Sequence, residues 1–463
     1  MLMIGTIPEA IGLMMVGIVL LGTWPAVWNL IEQRGRVPSH IFLDYALTYL
    51  VLGTAVALTL GQLGPATPGS PPFLQQLSQD NSRMVAFALA GGFCLAFGDL
   101  GMQYATALLG LSIGPPLLNA LTVIIGVVLA YFLDGGINKP QLVFPGMACA
   151  AVAIALGAAA HVLSQRRSPH GTRSRSTGSR AECSAAAAAA AQADVAGFDD
   201  SARPKTAAGQ FKHDADSCDQ PSRDTLSRLH CQQQRQPQQQ DQLQGNPAGT
   251  ATGTSAVALH IDIMQQQQQQ EAAAKLQQQR SIQLGSNSRF LGLAVAVLGG
   301  TVYGLFLPAF QIAATDPFNL LPPGTPPLTV YTTNFWFSVG FAATSIVING
   351  IFLYKPPFGT QASSVTGYIR DNRGRGLSIL SGALAAFGDL SQFMGGQVAG
   401  YAACMLVMAY PVVGVLWGMV RFKEFRQASK ASLALIAAQV AAYSTAVALL
   451  ASSAELRTGA GHH

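Results

Sequence analysis

The string Ala96-Phe97-Gly98-Asp99-Leu100 occurs a second time, inside another apolar stretch, as Ala386-Phe387-Gly388-Asp389-Leu390. At the same offset and without a gap, Gly110 pairs with Gly400, Phe132 with Phe422 and Asp134 with Glu424, so the match runs through two successive hydrophobic segments. Each copy puts a carboxylate in a run otherwise fit for lipid. Even the lower estimates set the cost of an acid at the centre of a spanning helix at about 2.5–3.5 kcal/mol, so such a residue marks a functional site by default.

The composition says what surrounds these acids. Of 463 residues, 50% are apolar and 11% charged, and the mean hydropathy is +0.32 despite a long polar middle. This is the profile of an integral membrane protein. The formal charge of +5 lies mostly in loops and the polar middle, so it reports topology and not affinity for nucleic acid. A spanning helix needs ~20 apolar residues, which gives ten spans at about 9–31, 41–61, 84–107, 111–133, 142–163, 290–313, 330–354, 376–397, 402–421 and 431–453. Gly110, Gly114, Pro115 and Pro116 break the third span from the fourth. The first apolar stretch has no preceding Lys or Arg and continues through Trp24, Pro25 and Trp28 with no small-residue cleavage site. It reads as a retained span and not as a signal peptide.

Residues 164–288 are a different material, rich in Arg, Ser, Ala and Gln, with Ala185 to Ala191 and Gln265 to Gln270 as homopolymer runs. Such a segment cannot bury enough apolar surface to offset its chain entropy, and it is expected to be a disordered linker. The expected organisation is a five-helix repeat over 1–163, the linker over 164–288, a second five-helix repeat over 289–454 and a tail over 455–463. Five spans per half turn the halves in opposite directions. The expected fold class is therefore all-α, ten transmembrane helices in an inverted five-plus-five repeat, as secondary transporters use. Gly22-Thr23-Trp24-Pro25-Ala26 echoes Gly304-Leu305-Phe306-Leu307-Pro308-Ala309, which predicts a proline-interrupted first helix in both halves.

One set of loops holds Arg34, Arg36, Arg166, Arg167, Arg280, Arg289, Lys355, Arg370, Arg373, Arg375, Arg421, Lys423, Arg426 and Lys430, whereas the opposite set holds Arg83, Lys139 and Arg457. Short-loop Lys and Arg stay in the cytosol, so the basic loops and the linker are expected there, in a plasma-membrane protein.

Gln103 follows Asp99 by four residues and Gln392 follows Asp389 by three, spacings that share a helix face. Tyr104, Gln397 and Tyr401 add hydrogen-bonding groups, and Asn29, Asn119, Gln311 and Asn334 lie in neighbouring spans. Amides present a donor and an acceptor together, which suits a small polar solute rich in amide groups. Trp24, Trp28, Phe97, Phe387 and Trp417 offer rings to stack on. The alternative is structural. Buried Gln and Asn also pair helices, and a protonated carboxyl does the same where burial penalises the charged form. Glycines such as Gly91-Gly92, Gly98, Gly299-Gly300 and Gly388 read as helix packing, and Asp44, Asp134 and Glu424, at span ends, as interfacial. The six cysteines show no paired spacing and give no metal site, and His161 is read as the histidine within an apolar segment. There is no Gly-x-x-x-x-Gly-Lys-Ser/Thr loop, no paired-histidine metal motif and no nucleophile elbow. An enzyme, a bound cofactor and ATP-driven pumping are not expected, which leaves an ion gradient as the energy source.

Several strings resemble the ureide permease family of plants, within the drug/metabolite transporter superfamily: Gly22-Thr-Trp-Pro-Ala26, Arg34-Gly-Arg36 with Leu43-Asp-Tyr45, Gln103-Tyr-Ala105, Tyr131-Phe-Leu-Asp134, Phe144-Pro-Gly146, Gln392-Phe-Met-Gly-Gly-Gln397 and Ala399-Gly-Tyr-Ala402. The family pattern differs in having Asn where Asp99 and Asp389 stand and acids at positions matching Pro115 and Met405. The resemblance implies a carrier of allantoin, uracil or a related oxo-heterocycle, working with protons. On it the expected substrate contacts are Asp389, Gln392, Gln397, Tyr401, Asp99, Gln103, Tyr104 and Trp24, with Asp389, and next Asp99, taking the proton. The expected partners are the solute, protons and the lipid bilayer, with no nucleic acid and no ATP. An exporter of another small metabolite and a non-transporting receptor or scaffold are the competing readings.

Overall fold

A computed structural model describes residues 4–32, 34–63, 70–109, 114–167, 289–357, 361–422 and 429–455. The linker beyond Arg167 and the tail beyond Glu455 lie outside the described residues, as does Glu424. The helices are α1 (Ile7–Glu32), α2 (Pro38–Thr59), the one-turn α3 (Phe73–Gln76), α4 (Ser82–Leu109), α5 (Gly114–Leu133), α6 (Pro140–Arg167), α7 (Arg289–Tyr303) and α8 (Phe306–Thr315). They continue as α9 (Val330–Tyr354), α10 (Val365–Arg370), α11 (Arg375–Ala399), α12 (Tyr401–Cys404), a 3-10 segment (Met405–Ala409), α13 (Pro411–Trp417), a π-helical turn (Gly418–Phe422) and α14 (Lys430–Ser452). Ten spans made from these elements are long and apolar enough to cross a membrane, and they fall on the ten read from the sequence. The chain is an integral, multi-pass, all-helical membrane protein. A helix suits hydrocarbon because it bonds its backbone polar groups within the segment.

The boundaries follow local chemistry. Extended Val37 precedes Pro38, which opens α2 without needing an N–H partner. The side chains of Thr329 and Ser429 accept from the N–H groups of Thr332 and Ser432 and so cap α9 and α14. Because α2 starts at Pro38, His40 lies within a span, whereas the fifth span ends at Ala160, one residue before His161.

The two first spans differ, contrary to the sequence expectation. α1 stays helical through Pro25, packed along α11, so the hydrogen bond missing at Pro25 does not end it. Its counterpart breaks at Gly304 and Leu305, where the Leu305 N–H turns back to the Val302 carbonyl. The ninth span is also broken. Gly400 has φ +89°, a left-handed conformation, and a Cβ there would overlap Asn138. The freed groups are bonded locally: Tyr401 N–H donates to Asp134 Oδ2 at 2.6 Å, and Asn138 Nδ2 donates to the Ala399 carbonyl at 2.8 Å. Asp134, expected at the interface, is instead buried at this break, where Gln311 Nε2 also donates to it at 2.7 Å.

The packing partners are α1 with α11, α7 and α8 with α4, α2 with α11, α9 with α4, α2 with α9, and α6 with α14. Small residues set the approach distance. A Cβ on Gly92 of α4 would overlap the Phe337 carbonyl oxygen, and one on Gly340 of α9 would overlap the Leu89 carbonyl oxygen, so these two backbones touch. Overpacking such a contact costs about 1–3 kcal/mol. Gly340→Val is expected to lower the melting temperature of the detergent-purified protein by several degrees. Gly350→Ala, where nothing lies within 4 Å, leaves it unchanged.

Candidate functional site

α2 organises the centre of the bundle. Tyr45 and Tyr49, four residues apart, share one face of the helix. Tyr45 Oη donates to Asp99 Oδ2 at 2.9 Å and Tyr49 Oη donates to Asp389 Oδ2 at 2.9 Å, so one helix holds both repeated acids. Each aspartate is only 4% exposed. Tyr303, the last residue of α7, supplies a further phenol to Asp99.

The repeated string now has a physical reading. Gly98 makes room for the Tyr303 ring and Gly388 for Leu21, so the residue before each acid admits a neighbouring helix beside the carboxylate. Phe97 and Phe387 point the other way and are 41% and 43% exposed, so they are not available for stacking on a central solute.

Aromatic rings wall the pair. Phe341 of α9 packs on both tyrosines, with centroids at 5.6 Å and 4.8 Å, and Trp24 and Trp28 lie 5.8 Å and 5.4 Å from Tyr45. Towards the Asp134 end, Phe310 stacks on Phe393 at 3.7 Å and Phe337 meets Phe393 edge-on.

Two of the expected amides stand out. Gln103, one turn past Asp99, is buried with neither amide atom hydrogen-bonded among the described residues. Gln392 is fully buried; its Nε2 reaches Met405 Sδ at 3.7 Å and its side chain bonds the Cys404 thiol, while its Oε1 has no partner among the described residues. A buried polar group left unsatisfied costs about 1–3 kcal/mol, so these two are groups a ligand would stabilise.

Other expected contacts are placed elsewhere. Gln397 is partly exposed and eight residues past Asp389, roughly 12 Å along the axis. Tyr104 is five residues past Asp99, about 140° around the helix, and packs edge-on against Phe352 at 5.9 Å. Tyr401 is buried at the start of α12, against Gly396 and 6.4 Å from the Phe310 ring. Trp417 donates to Thr23 Oγ1 at 3.2 Å at an exposed position, and Asn119 accepts from Tyr410 Oη at 3.1 Å. Asp44, expected at the interface, is buried and paired with Arg36 at 2.6 Å. The phenols of Tyr45, Tyr49 and Tyr303 were not among the expected site residues. The available signal was the i, i+4 pair of tyrosines in an apolar span.

The family model described as ureide permease matches residues 41–215 and 205–453. The chain is 36% identical over 444 residues to Ureide permease 2 of Arabidopsis thaliana, which covers 96% of each chain. It is 35% identical over 453 residues to Ureide permease 1 of the same plant, covering 98% of this chain and 99% of that one. To Probable ureide permease A3 of Vigna unguiculata it is 33% identical over 421 residues, 91% of this chain and 96% of the other. No solved structure matches it. With a family model spanning both membrane halves and relatives aligned from end to end, the chain belongs to the ureide permease family.

Proposed function

We propose that this chain is a secondary active transporter that imports allantoin, uracil or a related oxo-heterocycle together with a proton, by alternating access of an inverted repeat, in the plasma membrane with its basic loops in the cytosol. The observation that carries the reading is the pair of buried carboxylates, each held by a phenol from α2, with two buried amides that have polar atoms to spare. The mutual packing also supports it: α1 on α11 is matched by α7 and α8 on α4, and α2 on α11 by α9 on α4. An oxo-heterocycle with ring N–H and carbonyl groups would take both the donor and the acceptor of Gln103 and Gln392. Trp24, beside Tyr45, offers it a flat face.

The coupling is electrostatic. A carboxylate is expensive in the closed bundle and inexpensive where water reaches it, so a proton taken up on one side and released on the other ties the charge state to the conformation. Asp389 is the favoured coupling residue, since Gln392 follows it by one turn. Asp99 is the more structural of the two, held by two phenols. Uptake of labelled allantoin and uracil against external pH, normalised to protein at the membrane, tests this. Asp389→Asn is expected to flatten the pH dependence while Asp99→Asn keeps it. If both variants keep the parental profile, neither acid carries the proton.

The amides are tested by affinity. Gln392→Leu is expected to raise the apparent KM roughly tenfold, the equivalent of one lost polar contact, with unchanged surface expression. Gln397→Leu, further along α11, is expected to change KM by less than about twofold. Equal effects at both positions would return Gln392 to helix packing.

A further inference from the structure

A cluster of charged side chains apart from the acid pair lies at the basic end. Two Arg-Gly-Arg turns meet there: Arg34-Gly35-Arg36 before α2, and Arg373-Gly374-Arg375 at the start of α11. Gly35 and Gly374 have φ +68° and +71°, a left-handed geometry in which each turns the following arginine inward. Arg36 is completely buried and pairs with Asp44 of its own half at 2.6 Å, while Arg375 reaches the same Asp44 oxygen at 3.4 Å. The remaining bonds cross between the halves. Arg36 donates to Ser378 Oγ at 3.0 Å and to the Asp371 carbonyl at 3.4 Å, and its Nε lies 3.7 Å from Asp371 Oδ2. His40 Nδ1 donates to Asp371 Oδ2 at 2.8 Å, His40 Nε2 lies 2.8 Å from Ser363 Oγ, and Tyr368 Oη donates to Asp44 Oδ1 at 2.6 Å.

The cluster sits next to the proposed solute site on the same helix. Asp44 immediately precedes Tyr45 and lies only about 7.5 Å along the axis from Tyr49, so the cluster stands between the acid pair and the water at the basic end. An open depression of about 600 Å³, lined by Gly367, Arg370, Asp371, Asn372 and Arg373, brings that water to its outer side.

What separates this arrangement from fixed glue is its charge balance. A buried ion pair shared between two moving bodies is costly to open, because each partner is left unpaired. Here the shorter pair, Arg36 with Asp44, stays within one half, and Asp371 keeps Arg373 in the other. Separation would leave Arg36 with Asp44 on one side and Asp371 with Arg373, 3.5 Å away, on the other, where Arg375 gives up its 3.4 Å contact to Asp44 and keeps its hydrogen bonds to the Ile369 carbonyl and Asn372 Oδ1. Only hydrogen bonds and the longer ionic contacts are exchanged for water.

We propose that this cluster is the gate at the basic end of the permease, closed while Asp371 and Ser378 hold Arg36 and open when the 363–378 stretch withdraws with its own arginines. Burial pushes the Asp371 carboxyl up, but the His40 hydrogen bond, the Arg373 N–H and the Arg36 charge outweigh it and hold the group below its ordinary value of 3.8. Its contribution to closure is therefore present above that value and lost only as pH falls below it, so the Asp371 link stays intact between about pH 5 and 8.

The proposal rests on the transport reading, but its test needs no solute, so a failure to carry ureides would leave the result interpretable. In the full chain with its six cysteines replaced by serine, Thr48→Cys at the α2–α11 contact reports the basic end and Thr333→Cys at the start of α9 reports the opposite end. Both are titrated with a membrane-impermeant maleimide in sealed vesicles, from the side on which each lies. Asp371→Asn, which removes the cross-half ionic contacts of the Asp371 carboxylate to Arg36 and His40 and spares Arg36–Asp44, is expected to speed labelling at position 48 roughly tenfold, with position 333 and the melting temperature unchanged and with Asp371→Glu restoring the slow rate. Unchanged labelling at 48, or an equal rise at both positions, overturns the gate. Should Asp371→Asn fail to reach the membrane, His40→Gln with Ser378→Ala removes cross-half bonds without touching the Arg36, Asp44 and Asp371 charges and is read in the same way.

Discussion

The structure depends on the burial of two carboxylates in a bundle whose exterior is hydrocarbon. The central positions carry the consequences of that burial. Tyr45 and Tyr49 are spaced one turn apart so that a single helix bonds both acids. Gly98 and Gly388 give up their side chains so that neighbouring helices can close around them. Phe341, Trp24 and the stacked Phe310 and Phe393 exclude water from either side. A bundle needing only stability would place leucine at positions 99 and 389, so the cost is consistent with a role in moving a solute.

The two ends of the bundle are tied by different chemistry. At the Asp134 end a broken helix presents its backbone to one carboxylate and to the Asn138 amide, an arrangement in which Gly400 and Asn138 interlock and Gln311 donates to the same carboxylate. The basic end is tied by buried charges, with Arg36 on Asp44 and Asp371 on Arg373 inside each half and longer ionic contacts between them.

The spans, the repeated acids and the family resemblance were legible in the sequence, because hydrocarbon thickness dictates segment length and a charged residue in such a segment is conspicuous. Partners were not. Tyr45 and Tyr49 look like ordinary aromatic residues until α2 is seen to lie between Asp99 and Asp389, and Arg36 and Asp371 meet across 335 positions of chain. Residue spacing along one helix put Gln103 and Gln392 beside the acids, whereas Tyr104, five residues past Asp99, is turned about 140° around the helix and packs on Phe352. Pro25 was read as an interruption, and packing against α11 overrides it. Propensity is local, whereas this outcome was decided by a neighbouring helix.

The central claim is that the acid pair exchanges a proton at the place where the solute sits. Difference infrared spectroscopy on the purified protein in lipid bilayers observes this directly, since a protonated buried carboxyl has its own carbonyl band. The account predicts a carboxyl band that shifts when allantoin or uracil is added and that is lost in Asp389→Asn. A carboxyl spectrum indifferent to the solute, or one left unchanged by removing both Asp99 and Asp389, would contradict it.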